Sequence, residues 1–251
     1  MQGVVQKFGD AAWRTTNIAI PPLPALSVPT TLWAYLGGSL AQSQNMVAGA
    51  PPITVVAGTP YWPVPGNCVS VGPTSSTLPG GGYLDTGVRD DSSSFTIFLV
   101  CRLNAVTGVS KPLENSDPGA GNRGIAISIQ QNPTPGLNCV TNGNGINRTL
   151  GFPNVTTFKL FGITYDDPTF TMDMWDFTSG TTDHFVGTSF ARQLAPSTTF
   201  WIGANQAVNT GLANPSDVAF VGKISGSVNA TQAQAIAANI RSHMALTGMM
   251  V

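Results

Sequence analysis

Charge is what this sequence has least of. Charged residues make up 9% of its 251 positions, against roughly 25% in an ordinary globular chain. The formal net charge is −1, so no basic footprint exists for the phosphates of a nucleic acid. Histidine occurs twice, at His184 and His243, and no Gly-x-Ser-x-Gly sequence is present; a serine nucleophile on a sharp strand–helix elbow is therefore excluded. The three cysteines, Cys68, Cys101 and Cys139, are odd in number and far apart, which excludes a disulfide framework and a clustered zinc site and points to buried free thiols in a reducing compartment. No apolar run approaches the length of a membrane span. The opening MQGVVQKFGDAAWRTT lacks the apolar segment of a secretory leader, so the expectation is synthesis without secretion. The sequons at Asn147, Asn154 and Asn229 then follow from an Asn/Thr-rich composition.

What remains is apolar and turn-forming. Hydrophobic residues are 42%, with 28 Gly and 19 Pro, enough for a sizeable core under a neutral, polar surface. Such a surface suits a protein packed among neighbours in an assembly, or one that meets neutral ligands such as sugars.

Residues 1–30 read as an extended, proline-rich arm. Pro21, Pro22, Pro24 and Pro29 punctuate a segment that carries Ile18, Ile20, Leu23 and Leu26 behind Trp13. Proline at this density favours polyproline II, which has no internal hydrogen bonds, and its apolar side chains call for a surface to lie on. That surface is either the arm's own domain or a neighbouring subunit.

Residues 31–251 read as a single β domain. A short strand or helix is expected around Trp33–Leu36, a strand over Ile53–Val56, and another at Tyr83–Leu84. FTIFLVCRL is apolar on both parities, as a strand covered on both faces is. In GIAISIQ, Ile125, Ile127 and Ile129 alternate with polar residues, as in a half-buried strand. LNCVTNG with NGIN, and FKLFGITYD with FTMDMWDF, read as hairpins, and DHFVGTSF as a further strand. About nine to twelve short strands at this spacing predict an antiparallel sandwich or barrel.

The last quarter is the most explicit. TFWIGANQ leads to VAFVGKISGSV, where Phe220, Gly222, Ile224, Gly226 and Val228 share one parity. Lys223, Ser225 and Ser227 share the other, which reads as a wet outer face. A helix follows. Thr231 and Gln234 have the spacing of a capping box, Ala233, Ile236, Ala237, Ile240 and Met244 fall on one face, and Gly248 stands where a left-handed residue would end it. The apolar face is expected to pack on the sandwich.

The order LDTGV, FTIFLVCR, GIAISI, FKLFGITYD, MDMWDF, FWIGANQ, VAFVGKISGSV and a capped helix ending in Gly resembles the laminin-G-like, concanavalin A-like jelly rolls. It is most similar to those of bacteriophage virion and tail proteins. The resemblance covers about Trp33–Val251. It implies an all-β antiparallel sandwich with one short C-terminal helix, in a non-enzymatic structural protein of the virion: a decoration, tail or fibre component. It further implies homo-oligomers, trimers among them, contacts with other virion proteins, and a host glycan as external ligand. The alternative is a carbohydrate-binding or carbohydrate-cleaving domain, because this fold also hosts lectins and glucanases.

Glycoside hydrolysis needs two carboxylates flanking a sugar. Glucanases of this fold carry Glu-x-Asp-x-Glu on one strand face, whereas Glu114 is the one glutamate here. Asp173 with Trp175 and Asp176 is the nearest analogue, and a polar strand face explains it without catalysis. His184 has Asp183 and Asp176 near it in sequence, and His243 reads as a helix-boundary residue. Laminin-G-like domains often hold calcium, for which Asp90–Asp91 and Asp166–Asp167 offer paired carboxylates; turn formation accounts for Asp167-Pro168 without an ion. No metal, cofactor or catalytic residue is therefore expected. For sugar binding, Trp62 with Tyr61 and Asn67 is the best-placed loop aromatic group, and the arm residues Trp13, Ile18, Ile20, Leu23 and Leu26 are the expected assembly contacts.

Overall fold

A computed structural model describes residues 28–63, 67–73, 81–104, 108–117, 123–131, 135–141, 146–187, 192–203 and 215–251 of the chain. In chain order the strands are β1 (Thr30–Tyr35), β2 (Thr54–Thr59), β3 (Val69–Val71), β4 (Gly81–Arg89), β5 (Phe95–Leu103), β6 (Val109–Glu114) and β7 (Ile125–Gln130). They continue with β8 (Gly136–Thr141), β9 (Ile146–Gly151), β10 (Lys159–Asp166), β11 (Thr171–Asp176), β12 (Thr181–Val186), β13 (Thr199–Ile202) and β14 (Ser216–Ile224), and helix α1 (Ala230–Leu246) closes the chain.

Two seven-stranded antiparallel sheets result. The first runs β1-β14-β5-β10-β11-β12, with β3 pairing beside β14, and the second runs β2-β4-β13-β6-β7-β8-β9. The protein is an all-β sandwich with one C-terminal helix, as the spacing of its strands predicts. Two strands escape a reading by alternation. β3 is only three residues long, and β6 contains Pro112, tolerated because the ladder with β7 is bulged between Ser110 and Leu113.

The main core lies between the sheets. Phe95, Ile97, Leu99, Cys101 and Leu103 of β5 point into it, together with Ile125, Ile127 and Ile129 of β7 and Phe200 of β13. The opposite parity of β5, Phe98 and Val100, joins Leu160, Phe220 and Ile224 under the helix residues Ala233, Ile236, Ala237, Ile240 and Met244. This is why FTIFLVCRL is apolar on both parities: one face meets a sheet and the other a helix. The three thiols are free and buried, and burial pushes those of Cys68 and Cys139 up to about 12.

Two expectations about the C-terminal unit are corrected. The parity that carries Lys223 does not face water. A bulge between Val218 and Phe220 leaves Val221 pointing into the inter-sheet core and Phe220 and Ile224 under the helix, and Lys223 is fully buried. All nine residues of β14 are buried. The helix also starts earlier than Thr231: Asn229 is the N-cap, its side chain accepting from Gln232 N while Gln232 Oε1 accepts from Asn229 N. Asparagine competes with threonine at this position, so either residue satisfied the motif. The stop is as expected. Gly248 has φ +80°, and Gly248 N and Met249 N donate to Ala245 O and Met244 O at 3.0 Å each, the two bonds of a Schellman ending.

His243 is a core residue rather than a boundary residue. It is 2% exposed, stacks on Tyr35 at 3.6 Å between ring centroids, and its Nδ1 has no hydrogen-bond partner. Burial lowers its pKa from the usual 6.5 to about 4. The folded state thus favours the neutral ring. Its contribution to stability is complete above pH 6.5 and declines as the pH falls towards 4, by about 3 kcal/mol in all. Urea unfolding at pH 7 and pH 4 should show this loss, and His243→Phe should reduce it. Separately, a thiol reagent should modify none of the three cysteines in the native protein and all three in denaturant.

Candidate functional site

Most of the described charges of this protein are paired with one another. Six Lys/Arg–carboxylate ion pairs occur among the described residues: Arg102–Asp217, Lys111–Glu114, Arg148–Asp183, Lys159–Asp176, Arg192–Asp90 and Lys223–Asp91; His184 also pairs with Asp173, through a hydrogen bond when the ring is neutral. In the Arg192–Asp90 pair both side chains are 0% exposed. Its Nη1 and Nη2 donate to Asp90 at 2.5 and 2.7 Å, Nη2 also reaches Ser92 O, and Asp90 accepts from Ala195 N as well. This bidentate pair ties the segment after β4 to the segment before β13. Lys223 Nζ lies 3.1 Å from Asp91 Oδ1 and 3.1 Å from Ser225 Oγ. Burial holds the Lys223 ammonium below its usual pKa, with Asp91 acting against the shift. Burial alone would raise Asp91, but the Lys223 charge and hydrogen bonds outweigh it and leave its pKa lowered.

Of the 12 acidic residues, only Asp10 lies outside the described residues, and every other one accepts a hydrogen bond. Besides those in ion pairs, Asp85 accepts from Gly87 N, Asp117 from Ser197, Asp166 from Thr169 and Ser227, and Asp167 from Tyr165 and Arg192 N. The two aspartate pairs considered for calcium do not fit the ion. Calcium needs six to eight oxygen ligands, and these carboxylates already serve Arg192, Lys223 and nearby hydroxyl and amide groups. No cluster of three or more His, Cys, Asp or Glu side chains occurs among the described residues.

The loop aromatics part company. Trp62 is half-buried against the inter-sheet core, and its Nε1 donates to Ser43 Oγ at 3.1 Å. Tyr61 is exposed, its backbone bridging to Ser70. Asn67 lines a small cavity with Tyr35, Gln42, His243 and Thr247 at the C-terminal end of α1. The arm residues Trp13, Ile18, Ile20, Leu23 and Leu26 lie outside the described residues.

A polar–aromatic group converges on the outer face of β11 and β12. The ladder places Asp173 opposite His184 and Trp175 opposite Thr182. His184 Nδ1 lies 2.5 Å from Asp173 Oδ1, with the histidine side chain 64% and the aspartate 33% exposed. Sequence proximity offered Asp183 or Asp176 as the partner of His184. Asp183 instead takes Arg148 with two 2.9 Å contacts across the gap between the sheets, and Asp176 takes the buried Lys159. The correct partner follows from the hairpin register once its turn is placed at residues 177–180. Trp175 stacks on Phe177 at 6.0 Å, and Phe177 on Phe98 at 6.2 Å.

No family model matches the sequence, and no curated protein does. Solved structures match the fold. The binding domain of botulinum neurotoxin serotype D/C superposes with a TM-score of 0.62 at 12% identity, covering 84% of this chain and 52% of that one. A botulinum neurotoxin type C structure, whose description names interaction with two ganglioside molecules, gives 0.61 at 9% identity over 84% and 50%. Trypanosoma rangeli sialidase in complex with sialic acid gives 0.57 at 12% identity over 86% and 33%. The fold is that of the lectin-like jelly rolls. This chain spans about half the length of the toxin structures and a third of the sialidase, and at these identities the likeness is one of fold alone.

The ion pairs differ in what their loss should cost. Asp90→Ala leaves Arg192 buried and unpaired and should remove about 3–5 kcal/mol of stability. Asp183→Ala breaks a pair in partial contact with water and should remove about 1 kcal/mol or less. Denaturant midpoints of the two variants check the order.

Proposed function

We propose that the protein is a non-enzymatic binding protein of a bacteriophage particle. In this reading its sandwich assembles with copies of itself and with other virion proteins, and takes a host glycan as external ligand. The observation that carries the non-enzymatic reading is the occupancy of the acidic residues. General acid–base cleavage of a sugar needs two carboxylates facing one ring, and each described carboxylate is engaged in an ion pair, a turn or a strand-end hydrogen bond. Asp176, the neighbour of Asp173, is fully buried and bound to Lys159, so it cannot act with Asp173 on a common substrate.

The sandwich that this chain shares with toxin binding domains and with a sialidase supports a carbohydrate as the ligand class. The assembly role rests on the resemblance of its strand words to phage virion proteins, on its sparsely charged sequence, and on the proline-rich apolar arm. Burial of Asp90, Glu114, Lys159, Asp176, Arg192, Asp217 and Lys223 removes seven charges from an exterior already poor in them, which suits packing among like subunits.

Mass spectrometry of purified particles should find the protein among their components; its absence would remove the virion reading. Polysaccharides incubated with it should show no new reducing ends. Deletion of residues 1–27, which leaves β1 whole, should lower the mass in solution measured by light scattering, and an unchanged oligomer would leave the arm without its assembly role.

A further inference from the structure

We infer that the outer face of β11 and β12 is a binding site for an uncharged, hydroxyl-rich sugar, with Trp175 as the stacking platform and Asp173 and His184 as hydrogen-bonding groups. The inference rests on the proposed glycan-binding function and gives it a place and a selectivity.

The platform is built rather than incidental. Gly162 of β10 lies opposite Trp175 in the ladder, and a Cβ there would stand 2.7 Å from Phe177 Cε2 and 3.2 Å from Trp175 Cε3. Glycine therefore lets both rings lie down on the sheet. Phe98, Phe177 and Trp175 form a stack with interplanar angles of 20° at each step, running from beneath the helix outward. The helix holds the middle ring in place, because Arg241 donates to Phe177 O and, at 2.9 Å, to Val251 O. Thr178 Oγ1 and the backbone of Phe177 bond to Leu160 N and O, fixing the turn that carries the ring. Trp175 itself is half-buried. It has little rotational freedom to lose when a sugar face stacks on it, which lowers the cost of binding.

The polar groups beside the platform suit hydroxyls. With Nδ1 donating to Asp173 Oδ1, His184 presents Nε2 as an acceptor to solvent, and Asp173 keeps Oδ2 as a second acceptor. Thr182, cross-strand from Trp175, adds a hydroxyl that serves as donor or acceptor. An aromatic plane flanked by acceptors matches a pyranose, whose C–H face is apolar and whose rim donates hydrogen bonds. The carboxylate sets the selectivity. Asp173 lies on the same face, so a sugar acid would bring a second negative charge against it, and neutral sugars are favoured over sialylated ones. No other acidic residue is on that face of β11 and β12: Asp176 points into the sandwich and Asp183 is held by Arg148.

The test uses the full chain on an array of neutral oligosaccharides ending in glucose, galactose or N-acetylglucosamine, beside sialylated counterparts. Wild type should bind neutral members and not their sialylated forms. Trp175→Ala and His184→Ala should each weaken that binding about tenfold or more, in line with one aromatic contact or one hydrogen bond to an oriented group. His184 is mostly exposed, so its variant should keep the wild-type melting temperature even if Trp175→Ala lowers it. Asp173→Asn should narrow the discrimination against sialylated glycans. Glycan binding that persists in both the Trp175 and His184 variants would overturn this site while leaving the proposed function intact. A wild-type protein that binds no glycan would overturn both.

Discussion

A strand buried on both faces has no solvent to share its polar groups with, and β14 is such a strand. It sits between β1 and β5, contacts β3 at its start, faces the second sheet on one side and carries the helix on the other. Its polar groups depend on protein partners, and of its side chains Ser216 Oγ alone is buried without one. Gly222 meets the packing side of double burial, letting the rings of Trp33 and Phe220 lie 3.0 Å from where a Cβ would be. Lys223 meets the polar side: its ammonium reaches the rim of the sandwich, where Asp91, Ser225 and Thr31 receive it. The same demand recurs at Lys159 and Arg192, each buried and each neutralised by a buried aspartate.

The surface carries little charge because the chain has few charged residues and most of the described ones are paired. Long-range electrostatic steering is weak for such a molecule, so recognition falls to stacking, hydrogen bonding and shape. These are the means by which a protein binds a neutral sugar or a neighbouring copy of itself. The aromatic stack from Phe98 to Trp175 links the two halves of the account. It begins in the cluster that the helix covers and ends on the one described face where an aromatic ring, an exposed histidine and an aspartate meet. Scaffold and site are thereby connected through Phe177, which the helix holds by Arg241.

Much of the fold was legible because hydrophobic period and turn chemistry are local. The doubly apolar β5, the alternation of Ile125, Ile127 and Ile129, the β10–β11 hairpin, the apolar face of α1 and the Gly248 stop are all written in neighbouring residues. What failed depended on partners distant in sequence. Lys223 looks like an outward residue until a bulge at Val218–Phe220 and the covering helix are known. Two nearby polar residues, Asn229 and Thr231, both fit a cap, and only the backbone chose. The site was half visible: Asp173 and Trp175 stood out as a polar and an aromatic residue on one strand face, but their partner His184 required the hairpin register. Trp62 was the better candidate by its loop position, and its ring is turned to the core by a hydrogen bond to Ser43, nineteen residues away.

The central claim is that this sandwich binds a neutral glycan without altering it, and saturation-transfer NMR on a neutral oligosaccharide mixed with the full chain tests both parts at once. The account predicts saturation transfer to the C–H protons of one pyranose face, with the anomeric signals unchanged over days. Absence of transfer from a panel of neutral oligosaccharides, or the growth of new reducing-end signals, would contradict it.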